Sequence, residues 1–84
     1  VVYSLSLSRH AIKELGKINE PYYSNIKLAI ANLAQDPRPL GYKKLKGRDG
    51  YRIRVSNYRI IYHIFDQELI VEIITLGHRK DIYK

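Results

Sequence analysis

The chain has no cysteine, no methionine and no tryptophan, one phenylalanine and three prolines among its 84 residues. Without cysteine there is no disulfide frame, no thiolate zinc site and no cysteine nucleophile. The apolar runs are a few residues long, far short of a membrane span, and no charged-then-apolar leader opens the chain. A cytoplasmic protein without membrane contact is therefore expected. The missing methionine implies an initiator removed before Val1, or a chain trimmed there. A chain this short buries only roughly 60–65% of its unfolded surface, so neither a deep substrate cavity nor a second domain is expected. Residues 1–84 are thus read as one domain whose chemistry sits on an open face.

What is abundant is positive charge. Lys and Arg number 15 against 8 Asp and Glu, a net +7, while a 45% hydrophobic fraction argues for a globular fold over a disordered basic tail. The excess is local. Residues 43–59 carry seven basic groups and one acidic group, a net +6, whereas residues 1–42 carry +2 and residues 60–84 carry −1. Such clustering is the footprint of a polyanion partner, either nucleic acid or an acidic protein. Its plainer alternative is a solvated lysine-rich face.

Along the chain, Val1, Tyr3, Leu5 and Leu7 alternate with period two, the signature of a half-buried strand. Ser8 is placed to cap a helix whose apolar positions are Ala11, Ile12, Leu15 and Ile18. Asn19-Glu20-Pro21 then opens a second helix, with Asn19 as cap and a stripe of Tyr22, Ile26, Ala29, Ile30 and Leu33. That helix stops before Asp36-Pro37-Arg38-Pro39, because proline disfavours helical geometry in the preceding residue. The second half reads as a β-meander: residues 51–55, 58–65 and 69–76, with a short strand possible near 42–46. The expected class is α+β in the order β-α-α-β-β-β, a strand and helical hairpin on a mainly antiparallel sheet, ending in a short tail or helix.

A two-residue loop at Ser56-Asn57 would set Arg54 opposite Arg59, with Arg52 two positions along on the same side. Tyr51, Ile53, Val55, Tyr58, Ile60 and Tyr62 would then face the helices. Unbroken alternation into the last strand puts Val71, Ile73 and Thr75 on the core side. Ile70, Glu72, Ile74 and Leu76 join the arginines, with His78 just beyond. Like charges directly opposite across a strand pair are unfavourable, and arginine forks suit phosphate. An internal pairing of Arg54 or Arg59 with Glu72 or Asp81 is the competing explanation. In the tail, His78 ionises near neutrality, and Tyr83 offers a ring to stack on a base and a hydroxyl to move a proton.

Five segments in this order resemble the RelE/ParE superfamily of type II toxins, on its RelE side. Besides the N-terminal strand and helical hairpin, they are Lys44-Leu45-Lys46-Gly47, Tyr51 to Val55, Asn57 to Tyr62 and Gly77 to Tyr83. The resemblance covers essentially the full chain. It implies a ribosome-dependent messenger-RNA endonuclease that inhibits translation; with no cysteine, carboxylate pair or metal-ligand spacing, no metal or cofactor is expected. It also implies a cognate acidic, RelB-like antitoxin, in a complex of higher order that binds operator DNA through the antitoxin. By position, the catalytic set is Arg52, Arg54, Arg59, Arg79 and Tyr83, with His78 beside them. Lys43, Lys44, Lys46 and Arg48 are the contacts to RNA or to the 70S ribosome. Some members carry lysine where Arg52 and Arg54 stand; arginine effectively never releases its proton, which argues against a general base there.

The chemistry open to such a set is attack by RNA's own 2′-hydroxyl, leaving a 2′,3′-cyclic phosphate and a 5′-hydroxyl. It requires in-line positioning, stabilisation of negative charge at phosphorus and proton transfer at both oxygens. Arg59 and Arg79 are assigned to the phosphate with Arg52 and Arg54 assisting, and Tyr83 or His78 to the protons. A ParE-like gyrase poison and a non-catalytic RNA- or ribosome-binding module are the alternatives.

Overall fold

The computed structural model describes residues 1–78. Its elements are β1 (Ser4–Leu7), α1 (Arg9–Leu15), α2 (Tyr22–Gln35), β2 (Lys43–Lys44), β3 (Tyr51–Val55), β4 (Tyr58–Phe65) and β5 (Ile70–His78). One five-stranded sheet has the order β1-β5-β4-β3-β2, with β1 parallel to β5 and every other pair antiparallel. The expected α+β architecture is what the chain adopts. Arg79 and Tyr83 lie outside the described residues.

Ser8 caps α1 as its position predicts: its hydroxyl accepts from the Ala11 N–H at 3.0 Å. The same hydroxyl donates to the Ile74 carbonyl, and the Ser8 N–H donates to the Ile73 carbonyl at 2.9 Å, so the start of the helix is fastened to β5. The second helix departs from expectation. Its N-cap is Pro21, and Asn19 makes no side-chain cap; instead the Glu20 carboxylate accepts from both the N–H and the hydroxyl of Ser24. Ala11 is buried, whereas Ile12 is 59% exposed, because a helix of seven residues lying along one strand turns only one narrow stripe inward.

Both helices lie on the same side of the sheet. Ile26, Ile30 and Leu33 of α2 meet Ile53, Ile60, Tyr62, Val71 and Ile73 from the strands. Each fully buried aliphatic or aromatic side chain contributes about 1.5–3 kcal/mol by leaving water.

The β4–β5 register is where alternation read from sequence fails. Ile61 pairs with Thr75, but Tyr62 pairs with Ile73, so Ile74 is an extra residue in β5. Beyond this bulge every side chain changes face. Leu76, expected among the arginines, is 1% exposed in the core, opposite Ile60. Thr75, expected in the core, stands on the open face.

The 36–42 loop that delivers the basic segment is clamped from below. Tyr62, fully buried, donates its hydroxyl to the Pro37 carbonyl at 2.7 Å, and burial pushes its phenol well above the ordinary range. Arg38 makes a two-pronged contact with Asp66, at 3.0 and 3.3 Å, and lies over the Tyr51 ring. Tyr3 donates to the same carboxylate at 2.7 Å.

Two outcomes follow from this clamp. Tyr62→Phe removes the donor from the Pro37 carbonyl and should cost about 1 kcal/mol in urea denaturation. The Asp66 carboxyl is held below its ordinary value of 3.8, chiefly by the Arg38 hydrogen bonds and then by Tyr3. A depressed folded-state value stabilises above the unfolded value, and that contribution disappears as pH falls through the folded one. Stability should therefore fall on acidification below about pH 4, and Asp66→Asn should flatten that part of a denaturation-midpoint profile.

Candidate nucleic-acid interface

The face opposite the helices carries the charge. In the register, Arg54 stands directly opposite Arg59, which stands opposite Gly77. One row along, Lys43, Arg52, Ile61 and Thr75 are successive neighbours across four strands. The next row holds His63 opposite Glu72. The Ser56-Asn57 loop, with Ser56 at φ 54°, fixes this pairing as the two-residue hairpin requires. The three sheet arginines share a face.

They do not share an environment. Arg59 is 6% exposed and is the only buried charged side chain among the described residues. Arg54 is exposed at the sheet edge, where it lines a crevice with Asn32 of α2 and Pro39 to Gly41. Arg52, half-buried, borders a recess of about 500 Å³. The other cations on that rim are Lys43, Lys44, Lys46 and Arg48. Among the described residues its remaining lining is Leu45, Ile61 and Thr75. All four cations expected as RNA or ribosome contacts therefore meet one catalytic candidate, Arg52, around one opening.

The 45–50 segment can close over the sheet because of Gly50. Leu45 N–H donates to the Gly50 carbonyl at 3.0 Å, and Gly50 has φ 120°. A Cβ there would meet the His63 ring at 3.1 Å and Leu45 at 3.3 Å, so only glycine allows this approach.

His78 is not brought to the arginines. It pairs with Tyr58 on the helix side and sets its ring edge-on to that tyrosine at 5.7 Å; Tyr58 in turn packs on Tyr22 of α2 at 5.5 Å. The cause is again the extra residue at Ile74, which reverses the facing of everything after it. Glu72, proposed as an internal mate for Arg54 or Arg59, is opposite His63 instead. Sequence reading did not find Leu45, Ile61 or Thr75 as site residues: Ile61 belongs to an alternating pattern that signals only packing, Leu45 lies in the segment after β2, and Thr75 was expected in the core because alternation does not show the bulge.

A family model described as ParE toxin of type II toxin-antitoxin system, parDE, matches residues 5–83. The chain belongs to this toxin family. The mRNA interferase toxin RelE of Escherichia coli is 29% identical to the toxin over 83 residues, covering 95% of this chain and 86% of that one. In the RelB–RelE antitoxin–toxin complex from Methanococcus jannaschii, the similar chain is 30% identical with a TM-score of 0.73, covering 93% of the toxin and 94% of its own length. The archaeal RelE–RelB complex from Pyrococcus horikoshii gives a TM-score of 0.84 at 24% identity, over 96% and 99% of the two chains, a likeness of fold.

Exchanging Lys43, Lys44 and Lys46 for alanine should flatten the dependence of single-stranded RNA affinity on salt, by about 0.7 in logarithmic slope for each phosphate no longer neutralised. An unchanged slope across a salt titration would remove these lysines from the interface.

Proposed function

We propose that this toxin is a ribosome-dependent messenger-RNA endonuclease of the RelE kind, held in check by an acidic RelB-like antitoxin. The observation that carries the reading is the cationic face itself: Arg54 opposite Arg59, and Arg52 beside them on the rim shared with Lys43, Lys44, Lys46 and Arg48. Support comes from the full-length similarity to a curated mRNA interferase and to toxin chains in RelB–RelE complexes.

The reaction needs no protein nucleophile. The substrate's 2′-oxygen attacks phosphorus as its proton leaves to a base; the bond from phosphorus to the 5′-oxygen breaks, and that oxygen takes up a proton. A 2′,3′-cyclic phosphate and a 5′-hydroxyl result. Arg59 and Arg79 hold the phosphate, with Arg52 and Arg54 assisting; fixed charges of this kind act most strongly where water is excluded, which suits the buried Arg59. Tyr83 serves proton transfer. His78, turned to the helix side, is left out of this set.

Primer extension on messenger RNA after brief expression tests the reading. New 5′ ends within translated codons are expected, and Arg59→Gln or Arg79→Ala should reduce them at least about tenfold in protein shown to be folded. Gyrase-linked DNA damage without such ends would favour the ParE reading that the family model's name carries. Neither outcome would leave a binding module.

A further inference from the structure

The recess is unusual for a pure phosphate site. Its rim supplies cations, but the other described residues lining it are Leu45, Ile61 and Thr75, with Ile61 only 4% exposed. Phosphate gains nothing from an apolar floor, because a charge pressed against it loses hydration without compensation. A nucleotide satisfies both halves: the base has an apolar face and a polar edge, and its backbone is anionic.

We propose that this recess is a nucleobase subsite, in which one unpaired base of the bound RNA lies against Ile61 and Leu45 while the cationic rim holds its backbone. Thr75 reads the base edge. Among the described residues lining the recess it is the only neutral hydrogen-bonding side chain, and a hydroxyl is both donor and acceptor. The volume, about 500 Å³, falls within the usual range for small-molecule sites. Sequence-selective proteins commonly take RNA bases splayed from the stack. The bulge supports the assignment. Without the extra residue at Ile74, Thr75 would point to the helices; with it, Thr75 stands opposite Ile61, which stands opposite Arg52. Bulges beside active sites often serve to re-aim one side chain. The inference rests on RNA being the ligand, as proposed above.

The test uses the full chain with labelled methyl groups and a trinucleotide made uncleavable by 2′-O-methylation, compared with the same backbone lacking bases. The base-bearing probe should shift the Thr75, Ile61 and Leu45 methyl resonances; the abasic probe should perturb only the cationic rim. Equal shifts with both probes, or none at these methyls, would overturn the subsite. In primer extension, Thr75→Val should redistribute cleavage among sites at least about threefold, while Thr75→Ser keeps the wild-type distribution. An unaltered distribution in Thr75→Val would overturn the inference and leave the endonuclease intact. Absence of new 5′ ends from the wild type, with base-dependent methyl shifts retained, would instead overturn the endonuclease and leave the subsite.

Discussion

A single extra residue in β5 organises both faces of this toxin. Because side chains alternate with period two, inserting Ile74 between the pairs Ile61–Thr75 and Tyr62–Ile73 exchanges inside and outside for the rest of the strand. Leu76 enters the core, His78 joins the tyrosines facing α2, and Thr75 comes out beneath the basic rim. The bulge is held where it is by Ser8, whose hydroxyl donates to the Ile74 carbonyl while it caps α1. A helix start and a strand irregularity thus fix each other, and the site inherits its shape from that junction.

The second constraint is electrostatic. Opposing guanidinium groups on neighbouring strands are unfavourable cross-strand neighbours, by roughly 0.2–1 kcal/mol, and burying one of them adds a desolvation cost. The cost is borne where the fold is otherwise strong: directly behind Arg59 lies the layer of Ile60, Tyr62, Ile73 and Leu76, packed without exposure against the helices. Placing the arginines on the β3–β4 pair, with Lys43 and Lys44 on the short β2 beside them, gives one end of the face planar forks and the other the adaptable reach of lysine.

How the lysines arrive there depends on pairings distant in sequence. Tyr62 holds Pro37, Asp66 holds Arg38 and Tyr3, and Tyr51 lies between Arg38 and Tyr62. The three hydrogen-bonded pairs are separated by 25 or more residues, and Tyr51 reaches back past a whole loop to Arg38. No local pattern encodes them. The exposed neighbours of Arg52 would otherwise be a loose polar loop; fastened at Pro37 and closed at Gly50, they become one wall of the recess.

Period-two and period-3.6 patterning, turn chemistry and local charge were enough to establish the strand order along the chain, both helices, the Ser8 cap and the Arg54–Arg59 pairing. These depend on neighbours a few residues apart, or on a two-residue hairpin that fixes register by itself. The sequence also carried the toxin family through its ordered segments. Tertiary structure alone decided the bulge at Ile74, the parallel docking of β1 on β5, the burial of Arg59 and the facing of Thr75 and His78. The physical reason is common to all four: each is settled by which strands and segments lie alongside and by the register in which they pair. A period of two is blind to one added residue until the partner strand is in place.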